Sequence, residues 1–253
     1  MASSLIEKIV FLSRAWKYRI GYDAKEIEYI LNHVSEGERV VDIGAHKGAY
    51  LHWMRKAVGK TGEVLAFEPQ PSLAEYLKKI IGIFGYENVT IEWMGLGSEK
   101  GMFELVVPSP VGTTSPGAHI QRPGETVGRH SFSVRVDRLD DYLSADGDGP
   151  ISFIKCDVEG SELGVFKGAT RILKHDQPLL LFECEARHLA DGDMDAVFSY
   201  LVHLGYSGFF FCEDELLPIS RFSLEQHQPD FRKGMKRSEY RNNFLFLPKR
   251  ATG

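Results

Sequence analysis

Arg39-Val-Val-Asp-Ile-Gly-Ala-His-Lys-Gly48 is a short β-branched run that ends in an acid and a turn framed by two glycines. A run of this length and composition reads as a buried strand, and Gly44 to Gly48 as a sharp turn into a helix through Tyr50, Leu51, Met54 and Val58. The pattern repeats outward. Glu63-Val-Leu-Ala-Phe67 is a second strand, closed by Glu68-Pro69, after which Ser72 stands in a capping position before Leu73, Leu77, Ile80, Ile81 and Phe84 at helical spacing. Asn88 to Glu92 is a third strand, ended by Gly95-Leu-Gly97. Ile151 to Cys156 is a fourth, followed by a helix from about Ser161 to Leu173. Leu179 to Phe182 is a fifth, followed by Met194, Val197, Phe198 and Leu201 on one helical face. Strand–helix alternation of this kind predicts an α/β fold, a parallel sheet with helices on both faces.

Two regions depart from the alternation. Met102 to Val107 and Ser131 to Val136 read as an antiparallel pair, joined by a stretch from Pro108 to His130 rich in Gly, Pro, Ser and Thr. Residues 101–137 are therefore expected to form a hairpin and long-loop insertion after the third strand; loops of that length inside a compact domain are usually functional or disordered. Phe209 to Cys212 and Asn243 to Leu247 supply two closing strands. Residues 1–35 read as a helical extension of two amphipathic helices outside the sheet, with Asp23 placed to cap the second. Leu5, Ile9, Leu12 and Trp16 repeat at helical spacing, a face for packing on the sheet or for a second copy of the chain in a homo-oligomer. No linker divides residues 1–253, so a single domain is expected.

The chain has 253 residues, with 30 Lys and Arg against 35 Asp and Glu and a net charge of -5, a balance that argues against a general nucleic-acid binder. Hydrophobic residues at 43% exclude a disordered chain, and no apolar run is long enough for a transmembrane segment. Cys156, Cys184 and Cys212 all sit in apolar strands, which points to reduced thiols in a cytoplasmic protein. Charge is uneven: residues 230–250 hold seven Lys/Arg and two acids, so Arg237, Tyr240 and Arg241 are candidates to meet an anionic acceptor.

In an open parallel sheet, ligands bind beyond the carboxyl ends of the strands. Five such ends here carry acids or glycines: Asp42 with its turn, Glu68, Gly95 to Gly97, Asp157 with Glu159, and Glu183. Glu68 lies 26 residues after Asp42, where a carboxylate accepts from the hydroxyls of a ribose. The turn is G-x-x-x-G and lacks the G-x-G-x-x-G of a dinucleotide site, and the acid before it repels a pyrophosphate while suiting an ammonium. S-adenosylmethionine, with ribose, ammonium and sulfonium but no phosphate, matches those features.

The stretches Val41-Asp-Ile-Gly-Ala-His-Lys-Gly48, Ala66-Phe-Glu-Pro69, Arg138-Leu-Asp-Asp-Tyr-Leu143 and Ile154-Lys-Cys-Asp-Val-Glu-Gly-Ser-Glu-Leu163 together resemble the FkbM family of S-adenosylmethionine-dependent methyltransferases. The resemblance runs in order from about Arg39 to Glu185. It implies the class I Rossmann-like fold, a seven-stranded, mostly parallel sheet with an antiparallel last strand, and O-methylation of hydroxyls on small molecules, sugars or glycans. By position it implies that Asp42, Gly44, Ala45, His46 and Gly48 line the methionine end of the cofactor. Glu68 with Pro69 would hold the ribose, and Gly95, Leu96 and Gly97 would border the adenine. Tyr50 stands near where family members carry Thr or Ser, and is the candidate for the cofactor carboxylate.

Methyl transfer to oxygen needs the hydroxyl aligned with the methyl and relieved of its proton. Asp157 and Glu159 are the chemical candidates, Asp157 as a base or as a group binding acceptor or cofactor ammonium. Two devices would assist a lone carboxylate: a divalent metal on Asp157 and Glu183, or an imidazole from His119, His130 or His188. Glu162 reads as a helix-terminal carboxylate. Competing readings are a non-catalytic methyltransferase-fold regulator or scaffold, which would need none of Asp42, Glu68 and Asp157, and an NAD-dependent oxidoreductase on fold alone. Amino methylation of nucleic acid is disfavoured, because Asp157-Val-Glu-Gly160 lacks the Pro-Pro-aromatic turn those enzymes carry.

Overall fold

Val40 and Val41, adjacent in the first strand, are both fully buried but belong to different clusters, one on each face of the sheet. Side chains alternate across a strand, so a run buried on both sides is apolar except where a buried polar group enters, as Asp42 does in the same strand. A computed structural model describes residues 2–108, 114–115, 117–121, 131–143, 149–189, 192–213, 215–229 and 240–249. His130 and Arg237 therefore lie outside the described residues.

The chain opens with α1 (Ala2–Lys17), a π-helical turn (Tyr18–Tyr22) and α2 (Ala24–His33), then β1 (Arg39–Ile43), α3 (Ala49–Val58), β2 (Glu63–Phe67), α4 (Pro71–Phe84) and β3 (Val89–Glu92). Next come β4 (Gly95–Leu96), β5 (Gly101–Val106), β6 (His119–Ile120), β7 (Ser131–Asp137) and α5 (Leu139–Tyr142). The second half holds β8 (Ile151–Cys156), α6 (Glu162–Gly168), α7 (Thr170–His175), β9 (Leu179–Glu183) and α8 (Met194–His203). It ends with β10 (Tyr206–Cys212), β11 (Glu215–Pro218), α9 (Leu224–His227) and β12 (Asn243–Pro248).

The main sheet has eight strands in the order β11-β10-β12-β9-β8-β1-β2-β3. Strands β3, β2, β1, β8 and β9 are parallel, and β12 enters antiparallel between β9 and β10. The seven expected strands are thus present, with β11 added antiparallel on the outer edge of β10. The insertion forms its own sheet, β4-β7-β5-β6, in which β5 and β7 are the expected antiparallel pair. Gly95-Leu96 belongs to that second sheet and does not terminate β3.

Local details correct four expectations. Gln70 and not Ser72 precedes α4, because Pro71 takes the first helical position, where a missing N–H costs nothing. Asp23 precedes α2 but makes no side-chain cap; its carboxylate accepts from the Tyr50 hydroxyl at 3.0 Å. The helix expected from Ser161 to Leu173 is two, broken at Ala169. Helix α1 packs on α3 and α4 through Phe11 and Ala15, not on the sheet, and leaves Leu5, Ile9 and Trp16 exposed. All three cysteines are free, Cys156 and Cys184 buried and Cys212 only partly so.

Candidate active site

A cleft of about 1100 Å³ lies beyond the carboxyl ends of β1, β2, β8 and β9. Its floor follows from pairing register: Asp42 in β1 sits opposite Lys155 in β8, and the next residue pair is Ile43 with Cys156. The β8 chain then continues beside the β1 turn, the Asp157 N–H donating to the Ile43 carbonyl at 2.9 Å. Gly44 has φ +78°, and a Cβ there would stand 1.9 Å from the Asp157 carbonyl oxygen. Glycine is required because two strand ends cross at that point.

Asp42 is fully buried, and among the described residues neither of its carboxylate oxygens has a hydrogen-bond partner. Burial pushes its carboxyl up to about 6, against the pull of Lys155. Lys155 is buried too and donates to Asp157 Oδ2 at 3.1 Å. Burial alone would lower the Lys155 ammonium, but Asp157 and Asp42 hold it above its ordinary value. Glu68, at the tip of β2, accepts from the His46 N–H at 2.7 Å through one oxygen and from the Gln70 N–H at 2.9 Å through the other. Burial still raises it to about 7. The His46 ring is itself buried and lowered to about 4, so this residue serves Glu68 through its backbone.

Across the cleft, Glu159 and His188 form a pair, Oε2 to Nδ1 at 2.5 Å. Glu159 has φ +55°, a left-handed conformation uncommon for a side-chain-bearing residue. His188 is raised above its ordinary value by the hydrogen bond to Glu159. Burial, the Asp157 charge and a hydrogen bond to Glu185 push the Glu183 carboxyl well above the ordinary carboxylate range. Glu185 in turn accepts from Arg187, from the Tyr240 hydroxyl at 2.9 Å and from Asn242 at 3.1 Å.

Most residues singled out by sequence meet here: Asp42, Gly44, Ala45, His46, Tyr50, Glu68, Pro69, Gly95, Leu96, Asp157, Glu159, Glu183 and His188 all line the cleft. His119 also lines it, from β6, with Nδ1 at 3.0 Å from the Gly117 carbonyl. Gln70 and Ser115 exchange two hydrogen bonds that fasten the insertion over the β2 end. Gly48 and Gly97 do not line the cleft. A Cβ on Gly48 would meet Phe11 at 2.8 Å and Leu77 at 2.9 Å, so its role is to let α1 and α4 close on the turn. Glu162 is likewise outside, accepting from the Gly160 N–H at the start of α6. Among the described residues no group of three or more His, Cys, Asp or Glu comes together as metal ligands around Asp157 and Glu183 or elsewhere.

Sequence reading missed Lys155, though it lies inside a quoted stretch, because its partner Asp42 is set by strand register. It also missed Arg14, Tyr18 and Gln70, which reach the cleft from α1, the π turn and the residue before α4. Only Gln70 had a local signal, its position one residue beyond Pro69.

A family model described as the methyltransferase FkbM domain matches residues 42–207, from the buried acid of β1 into β10. The chain belongs to the FkbM methyltransferase family. Its fold is that of solved relatives. The structure of methyltransferase FkbM from Methylobacillus flagellatus KT is 18% identical with a TM-score of 0.54, covering 97% of this chain and 60% of that one. Cofactor-bound Rv0187 from MTB is 14% identical with a TM-score of 0.51, covering 95% of this chain and 88% of that one. Among curated proteins, protein-L-isoaspartate O-methyltransferase 1 of Archaeoglobus fulgidus is 43% identical over 56 residues, 22% of this chain and 26% of that protein. Methyltransferase 1 of Beauveria bassiana is 25% identical over 193 residues, 65% of this chain and 76% of that one. The FkbM chain thus spans about a quarter of the first of these relatives. Family membership implies S-adenosylmethionine as methyl donor, and the site fits it. A buried carboxylate without a partner suits the cofactor's ammonium, and Glu68 retains acceptor capacity on both oxygens for a ribose. No helix among the described residues is long and apolar enough to cross a membrane.

Proposed function

We propose that this cleft methylates a hydroxyl oxygen of a small-molecule or glycan acceptor, with His188 as general base. The observation that carries the reading is the 2.5 Å contact between Glu159 and His188 in the cleft wall, two residues from Asp157. S-adenosylmethionine supplies a methyl group on a sulfonium, open to in-line displacement. Glu68 would hold its ribose and Asp42 would face its positive end, with Tyr50, Ala45 and Pro69 closing around it.

Glu159 fixes the imidazole through Nδ1 and stabilises the charged ring that results when Nε2 takes the hydroxyl proton. This is the role an orienting carboxylate plays beside any catalytic histidine. Asp157, held by Lys155, would accept from a second hydroxyl of the acceptor and so align the reacting one, whose single proton goes to His188. His119 borders the same cleft from the insertion and is the second imidazole available. The imidazole route is preferred to a divalent metal on Asp157 and Glu183, because Glu159 already pairs with the His188 ring and, among the described residues, no third His, Cys, Asp or Glu joins those two acids as a ligand. Among the described residues lining the cleft, acids outnumber Lys and Arg by nine to six, and Arg187 and Tyr240 are already engaged by Glu185. A neutral polyhydroxylated acceptor therefore suits it better than an anionic one. Curated relatives named as O-methyltransferases are consistent with oxygen as the acceptor atom.

The test is methyl transfer from labelled S-adenosylmethionine to a panel of hydroxylated acceptors. His188→Ala should lower kcat on the order of 10²–10⁴-fold with cofactor affinity kept. Label on nitrogen, or full activity in His188→Ala, would refute the reading.

A further inference from the structure

The face of α1 that Phe11 and Ala15 leave outward is strongly apolar. Leu5, Ile6, Ile9, Val10 and Trp16, with Ile20 of the π turn, are between 49% and 75% exposed. At the helical period the five residues of α1 fall on one side, an arc that also takes in Ser13 and, at the end of the helix, Lys17, whose ammonium stands over the Tyr22 ring. The opposite side is fixed: Phe11 is buried among Phe84 and His52, and the Trp53 indole donates to the Ala15 carbonyl at 2.9 Å. The helix is therefore seated, and its apolar side is the outer one. A contiguous exposed apolar patch of this kind marks a docking surface.

Charge identifies the occupant. Helix α1, the π turn and the helices packed against them, α2, α3 and α4, carry nine Lys/Arg against four Glu, a net +5 in a chain whose total is -5. A second copy docking here through a two-fold axis would set this basic layer against itself. An anionic lipid surface offers what the patch lacks, an apolar layer for Leu, Ile and Trp and negative headgroups for the surrounding Lys and Arg. We propose that α1 with the π turn lies flat on an anionic lipid bilayer as an interfacial anchor. The same segment gives Arg14, Tyr18 and Tyr22 to the cleft wall, so docking places the cleft beside the lipid surface.

Flotation of the full chain with vesicles tests this, using phosphatidylcholine mixed equally with phosphatidylglycerol against phosphatidylcholine alone. The chain should float with the anionic vesicles only, and high salt should release it. The exposed pair Ile6→Ser/Ile9→Ser, and separately Lys17→Glu/Lys56→Glu, should lose flotation while keeping the wild-type circular dichroism and melting temperature. Trp16 emission should shift to the blue on anionic vesicles, a shift absent in Trp16→Phe. Failure of the wild type to float, or equal flotation with both vesicles, would overturn the proposal. So would a dimer in light scattering that the Ile6→Ser/Ile9→Ser variant converts to monomer, because the face would then belong to a second copy.

Discussion

Glu159 Oε2 stands 2.5 Å from His188 Nδ1, joining the loop after β8 to the turn after β9 across the mouth of the cleft. Gly160 makes the approach achievable: at φ +98° it packs against the His188 backbone, where a Cβ would lie 2.2 Å from the carbonyl oxygen.

The pair gives a pH dependence with a definite sign. Hydrogen bonding to Glu159 raises His188, so the wild-type base is protonated and idle at low pH and activity climbs as pH rises through that raised value. Glu159→Gln removes the charge, so the ascending limb of kcat should move to lower pH while its plateau falls about tenfold or more. A pH–rate profile of the two proteins checks both effects.

Asp42 predicts a trade of stability for binding. Its folded carboxyl is raised from 3.8 to about 6, so the penalty for ionising it in the interior is absent below about pH 4 and complete above about pH 6. Asp42→Asn should stabilise the cofactor-free protein at pH 8 by roughly 2–3 kcal/mol and do little at pH 4. It should also weaken S-adenosylmethionine binding. Thermal unfolding at the two pH values, with and without cofactor, measures each part.

Gly44→Ala and Gly48→Ala should separate by mechanism. The first drives a methyl into the Asp157 backbone, which cannot yield, and is expected to cost several kcal/mol and abolish cofactor binding. The second strikes Phe11 and Leu77, side chains that can shift, but at φ +77° it is strained as well. It should destabilise by roughly 1–3 kcal/mol with cofactor affinity largely retained. Denaturant titration and calorimetry on both variants distinguish them.

These glycines also show where sequence reading ends. That Gly44 to Gly48 is a turn after a strand is local information, carried by β-branched residues followed by glycines, and so are the acids at the ends of β2, β8 and β9. What each glycine avoids is not local. By resemblance both glycines line the cofactor; Gly44 does border the cleft and also makes room for the chain leaving β8, whereas Gly48 makes room for α1, a helix 37 residues earlier. Lys155 was hidden for the same reason, since only the parallel register of β1 and β8 sets it opposite Asp42. Arg14 and Tyr18 come from α1 and the π turn after it, where the apolar periodicity says nothing of the cleft they border. The edge strand β11 is short and partly exposed, so it lacks the alternation that reveals a strand.

The central claim is that the acids at the ends of β1 and β2 hold S-adenosylmethionine. Isothermal titration of the cofactor into the wild-type chain and into Glu68→Ala tests it most directly. One-to-one binding by the wild type, weakened at least about tenfold in Glu68→Ala by loss of charge-assisted hydrogen bonds, is the predicted result. Absence of binding to the wild type, or equal affinity in both proteins, would contradict it.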